Sequence, residues 1–329
     1  MHRDRKHGEE PRLSYNDRVT EASSEAEATT QPADSPETPG VPTRVRLLIA
    51  YDGTSFNGWT RQPGLRTVQG VLEEALRTLF RRHEPAPTLT VAGRTDAGVH
   101  ALGQVAHVDL TSDQITSLLR PRKPRNQADD TDAAAALRRR LTGILGATDS
   151  DVVVTGAELA EPGFDARFSA LWRRYEYRIA DAAAPKSPLT RTSTVWYPAT
   201  LDVDSMDAAA GTLLGLHDFA AYCKPREGAT TIRTLQAFGW MRNADGVLVA
   251  TVRADAFCHS MVRALVGACV AVGEGKLDPA DLVLLRDVGA RTSAFKVMPA
   301  KGLTLMEVGY PHGADLAARA AQTRAKRVL

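Results

Sequence analysis

The chain has 329 residues, with 41 Lys/Arg, 39 Asp/Glu and 43% hydrophobic residues, a composition suited to one large or two smaller folded domains. No apolar run approaches the ~20 residues that cross a bilayer. The charged start, Met1 to Glu10, lacks the apolar core of a secretory signal, and the acids of the first forty residues argue against a transit peptide; no membrane attachment and a cytoplasmic setting are expected.

Residues 1–43 hold 5 Lys/Arg and 9 Asp/Glu, against 36 and 30 in the remainder. They are rich in Glu, Ser, Thr and Pro and have no apolar periodicity, which predicts a disordered acidic tail before a basic body. A basic body suits a polyanionic partner, although many proteins of this size carry such a charge without one.

Order is expected from Arg44, where Val45, Leu47 and Ile49 alternate as in a half-buried strand that Asp52-Gly53 breaks. Thr67 can cap a helix whose apolar positions are Val68, Val71, Leu72, Ala75, Leu76 and Leu79. Pro85-Ala86-Pro87 ends that segment. A short strand from Thr88 to Ala92, the loop Gly93-Arg94-Thr95-Asp96-Ala97-Gly98 and a strand carrying Ala106, Val108 and Leu110 on one face come next. A polar loop at 120–132, a helix through Leu137, Leu141, Ile144 and Leu145, and a strand from Asp151 to Thr155 complete the first half.

The second half predicts a strand through Arg174 to Ile179 and a helix near Ser205 to Leu214. Strands at Leu235–Met241 and Val247–Ala254 flank the turn Asn243 to Gly246. An apolar helix from Ser260 to Val272 and a strand at Leu303–Val308 follow. This mixture predicts an α+β (mixed α/β) fold. We expect two similar subdomains, 44–165 and 166–310, each an antiparallel sheet backed by helices, with a cleft between them. Residues 311–329 read as a basic helical tail.

Three cysteines, Cys223, Cys258 and Cys269, form no CxxC pair, so reduced, buried thiols are expected rather than a disulfide framework or zinc site. His100, His107 and His217 lack ligand spacing and read as structural or RNA-contacting. Arg120 to Arg125 and Arg138 to Arg140 read as solvated faces or phosphate contacts. The four tryptophans read as core.

A carboxylate in a Gly-bracketed loop between strands can serve chemistry, because glycines let the backbone approach a ligand. Arg94, two residues before Asp96, could hold the acid ionised or bind phosphate. By itself the loop reads more readily as a tight turn capped by its Asp.

The longer string Gly93 to Val105, however, closely resembles the signature of tRNA pseudouridine synthase A, the TruA family. Tyr51-Asp52-Gly53 to Trp59, Phe164 to Ala170 running into Arg173-Arg174-Tyr175-Glu176-Tyr177, Gly215 to Phe219, Phe257 to Arg263 and Ala300 to Leu303 follow in family order. The resemblance covers residues 44–310. It implies that Asp96 is the catalytic aspartate, that Tyr175 packs on the target base, and that Arg263 pairs with the aspartate. It also implies that Arg94 helps hold the nucleotide and that Leu303 lines the pocket. It further implies isomerisation of uridine at positions 38, 39 and 40 of the anticodon arm of tRNA, and a homodimer. No redox or phosphoryl step is involved, so no organic cofactor and no metal are expected, in keeping with the absence of GxGxxG and P-loop patterns.

The chain departs from the family where Thr60 stands in place of a Gln, where Leu141 to Gly146 replaces Leu-Asn-x-Leu-Leu-Pro, and in the loop at 120–132. Two rival readings are a non-catalytic tRNA-binding protein or chaperone on the same fold, and a glycosidase-like hydrolase. The hydrolase would need a second carboxylate about 5–9 Å from Asp96, for which Asp52 and Asp255 are the loosely placed candidates.

Overall fold

The computed structural model describes residues 41–120, 132–146, 150–226, 228 and 230–324. Residues 1–40 of the expected tail, 121–131 of the polar loop and the last five residues lie outside the described residues.

The first half runs β1 (Thr43–Tyr51), α1 (Val68–Leu79), β2 (Leu89–Val91), β3 (His100–Leu110), α2 (Ser112–Leu119), α3 (Ala133–Gly146) and β4 (Val152–Leu159). The second half runs β5 (Trp172–Ala180), β6 (Val195–Trp196), α4 (Val203–Gly211), β7 (Gly215–Asp218), β8 (Ile232–Arg242) and β9 (Leu248–Ala254). It ends with α5 (Met261–Gly273), α6 (Pro279–Val288), β10 (Leu303–Gly309) and α7 (Asp315–Arg324). The class is α+β, as the sequence predicts. Among the described residues no helix is long and apolar enough to cross a membrane.

Among the described residues ten strands form one sheet, in the order β4-β1-β3-β10-β5-β9-β8-β7, with β2 beside β3 and β6 beside β5. Pairing is antiparallel except at β3–β10 and β5–β6. The last strand joins the halves: Leu305 on β10 pairs with Ala101 of β3 on one side and with Tyr175 of β5 on the other. The junction needs Gly103, because a Cβ there would stand 2.1 Å from the Met306 carbonyl oxygen, a contact only a residue without Cβ avoids.

Local signals explain the helices. Thr67 caps α1 by accepting from the Gly70 N–H at 3.2 Å, and Val68, Leu72, Ala75 and Leu76 turn inward. On α3, Leu137, Leu141 and Leu145 are buried, and Arg140 donates to the Ser117 and Leu118 carbonyls at the end of α2, so this arginine serves packing. Every residue of α5 except Arg263 is buried, as expected of a helix apolar all round.

Two expectations about side chains are corrected. Cys223 and Cys258 form a disulfide with Cα atoms 5.8 Å apart, so only Cys269 remains a free, buried thiol. Sequence spacing gave no sign of it, since folding brings together residues 35 positions apart. Trp59 and Trp240 are buried, whereas Trp196 is 41% exposed on the short strand β6.

Candidate active site

The loop between β2 and β3 presents Asp96, and its neighbours are fixed from below. Thr95 is buried; the Tyr51 and Thr95 hydroxyls lie 2.8 Å apart and share a hydrogen bond. Gln104 donates from Nε2 to the Tyr51 hydroxyl at 3.2 Å and to the Gly93 carbonyl at 2.9 Å. Burial pushes the Tyr51 hydroxyl up to about 12, against the smaller opposing effect of its hydrogen bonds to Thr95 and Gln104, so it stays protonated at neutral pH. The Trp59 N–H holds the Thr95 carbonyl at 3.1 Å. Gly58, at φ +87°, allows this approach: a Cβ there would lie 2.9 Å from the Thr95 oxygen.

The Asp96 carboxylate meets the start of α5. Ser260 Oγ donates to Oδ2 at 3.3 Å, Arg263 Nη1 lies 3.6 Å from Oδ2, and His259 Nε2 lies 3.7 Å from Oδ1. The helix N-terminus adds its own favourable field for an anion. Arg263 is pinned by its own backbone and side chain: Nε donates to the Met298 carbonyl at 2.7 Å, and the Met298 N–H donates back to the Arg263 carbonyl at 3.1 Å. Ser260 sits at φ 62°, in the left-handed region, which costs on the order of 1–3 kcal/mol for a residue other than Gly. This strain is stored beside the carboxylate.

Tyr175 and Tyr177 share the buried face of β5, as the alternation predicts. The Tyr175 ring packs edge-on against Phe257, with centroids 5.2 Å apart at 90°. Burial raises the Tyr175 hydroxyl well above its ordinary range; the negative charge of Asp96 adds to this and Arg173 opposes it. Leu303 is buried on β10, paired with Tyr177. Arg94 is exposed and makes no hydrogen bond or ion pair with the described residues. The charge partner of Asp96 is therefore Arg263, not its near neighbour in sequence, because the loop turns Asp96 toward α5.

Sequence reading missed His259, Ser260, Tyr51 and Arg173 as site residues. Arg173 is buried and donates to the carbonyls of Ala92 at 2.7 Å, Arg167 at 2.9 Å and Asp255 at 2.7 Å. It thereby ties the root of the Asp96 loop to the segment that leads into α5. The signal for it was a second arginine beside Arg174 on a strand whose alternate residues face inward.

The candidate second carboxylates are engaged elsewhere. Asp52 Oδ1 accepts from the Thr54 N–H and hydroxyl, at 2.9 and 2.5 Å, and Asp255 Oδ1 accepts from the Thr234 and Ala256 N–H groups, at 3.1 and 2.6 Å. The histidines set aside at first have structural partners: His100 Nδ1 accepts from Gly53 N–H, His107 Nδ1 accepts from Ala166 N–H, and His217 Nε2 lies 2.9 Å from the Leu214 carbonyl oxygen. Among the described residues no three His, Cys, Asp or Glu side chains gather in a metal-binding group.

A family model described as tRNA pseudouridine synthase matches residues 47–137 and 209–311. The chain belongs to the tRNA pseudouridine synthase family. The matched segments of this tRNA pseudouridine synthase family member contain Asp96, Arg263 and Leu303, and Tyr175 lies between them. A protein of Leifsonia xyli named tRNA pseudouridine synthase A is 66% identical over 287 residues, covering 87% of this chain and 98% of the relative. Proteins of the same name from Frankia casuarinae and Streptomyces avermitilis are 53% and 51% identical, each over 87% of this chain and over 96% and 94% of their own lengths.

Proposed function

We propose that this protein isomerises uridine to pseudouridine in tRNA, with Asp96 as the catalytic nucleophile. The observation that carries the reading is the Asp96 carboxylate set between Ser260, His259 and Arg263. Membership of the family and the name shared by its relatives supply the substrate class and make it an isomerase.

The reaction breaks the N1–C1′ bond, turns the base and joins C5 to C1′, while a proton leaves C5 and one is gained at N1. Asp96 adds to the substrate and covers the interval in which the base is detached. Arg263 and Ser260 hold it aimed at the substrate. Tyr175 supports the base and keeps out water, which would otherwise trap the open sugar. The target nucleotide leaves its stack to enter, Arg94 meets it at the exposed rim, and Leu303 lines the floor.

We place the target at positions 38, 39 and 40 of the anticodon arm and read the active form as a cytoplasmic homodimer; both rest on the sequence resemblance. In this reading residues 44–165 carry the nucleophile, residues 166–310 carry Tyr175, Arg263 and Leu303, and the cleft lies between them. Purified wild-type protein is expected to form pseudouridine in unmodified tRNA at those positions, and Asp96→Asn to form none, by mass-spectrometric mapping. Persistent modification by the Asn variant would remove Asp96 from its role.

A further inference from the structure

The charge of Asp96 is already matched by Arg263 at 3.6 Å. Two more cations line a cleft with Ser260, and neither has an acidic partner among the described residues. Lys224 is exposed, and its backbone N–H donates to the His259 carbonyl at 2.9 Å, which ties it to the residue beside Asp96. Arg291 is exposed and lines the same narrow cleft as Lys224 and Ser260, the residue whose hydroxyl donates to Asp96. Neither side chain makes a hydrogen bond or ion pair with a described residue.

The backbone at Lys224 is held firmly. The disulfide Cys223–Cys258 anchors the residue before Lys224 to the one before His259. The stacked rings of Tyr222 and Phe295, 5.5 Å apart at 15°, join the segments that carry the two cations. Two long cationic side chains on one cleft with Ser260, whose hydroxyl donates to a carboxylate already paired with Arg263, make a site for an external anion. Every nucleotide brings one phosphate, so a uridine seated at Asp96 carries its flanking phosphates to the rim of the site. An arginine fork takes two phosphate oxygens and a lysine adds a point charge.

We propose that Lys224 and Arg291 form a phosphate-binding subsite that grips the RNA backbone next to the target uridine. The proposal rests on the pseudouridine synthase reading above. These side chains act in binding, and Asp96 remains the reacting group.

The test uses the full chain and an unmodified anticodon stem-loop RNA. Wild type, Lys224→Ala, Arg291→Ala, Arg291→Lys and the double Ala variant are compared for RNA affinity at several salt concentrations and for KM and kcat. The same proteins are then titrated with RNAs carrying an uncharged methylphosphonate at each linkage around the target uridine.

Each Ala substitution is expected to weaken binding about tenfold or more, as the loss of a charge-assisted hydrogen bond does. The loss should fall mainly on KM, and Arg291→Lys should recover only part of it. The slope of log affinity against log salt should become shallower by about 0.7–0.9 in the double variant. One neutralised linkage should weaken the wild type about tenfold and the double variant no further. Equal losses in both proteins at every linkage, or variants with wild-type affinity and salt slope, would overturn the subsite. Melting curves matching wild type exclude misfolding, which is expected for two exposed residues. A wild type that makes no pseudouridine would sink the functional reading instead, while the binding cycle still decides the subsite.

Discussion

The Asp96–Arg263 pair can be weighed by a double-mutant cycle with Asp96→Asn, Arg263→Met and both together. At 3.6 Å the attraction is about 5 kcal/mol at an effective dielectric of ~20 and about 1 kcal/mol in bulk water. The side chains are 30% and 22% exposed, so the site lies between these limits, and a coupling of about 2 kcal/mol is expected. Arg263→Met alone should cost more, because it also strands the Met298 carbonyl that Nε now satisfies. The assay is urea unfolding at pH 7, at low salt and at 1 M NaCl. Coupling near 2 kcal/mol at low salt that shrinks but persists at high salt supports a part-buried pair. A coupling below about 0.5 kcal/mol would class it with ordinary surface pairs and refute the view that Arg263 holds the carboxylate.

Three further outcomes follow from the same geometry. Tyr51→Phe removes the hydroxyl between Thr95 and Gln104; it should cost about 1–3 kcal/mol of stability and lower kcat, and full activity in a turnover assay would show that the loop needs no such brace. Asp181 is buried against Arg242, whose two hydrogen bonds, at 2.9 and 2.8 Å, hold its carboxyl below the usual range. A lowered folded value means that the unfolded chain binds protons first, so this stabilisation is complete above about pH 4 and disappears as pH falls through the folded value. Unfolding measured from pH 5 to pH 2.5 should show that decline in wild type and a shallower or reversed slope in Arg242→Met. Alkylation of the denatured, unreduced protein should label one cysteine, Cys269, and three after reduction; three labels without reductant would rule out the Cys223–Cys258 bond.

Elements with a repeating apolar pattern were legible in the chain: α1 from Thr67 onward, α5 from its unbroken apolar run, β5 from its alternating tyrosines. Short elements escaped. α2 carries a Thr111–Gln114 capping box, and α6 begins with Pro279 and ends at Gly289 with φ 68°, all readable signals that were too brief to stand out from loop composition. β7, at Gly215–Asp218, was not predicted as a strand, since four residues give no periodicity and it exists because β8 pairs with it.

By itself the sequence determined the Asp96 loop, the family and the identity of Tyr175, Arg263 and Leu303 as site candidates, because those depend on ordered motifs along the chain. Tertiary structure alone decided who touches whom. Arg94 is two residues from Asp96 and does not pair with it, whereas Arg263 is 167 positions away and does. His259 and Ser260 reach the carboxylate only because β10 stitches the two halves into one sheet and the start of α5 lies over the loop. Charge pairing acts over a few ångströms in space, and distance along the chain carries no information about it until the sheet has closed.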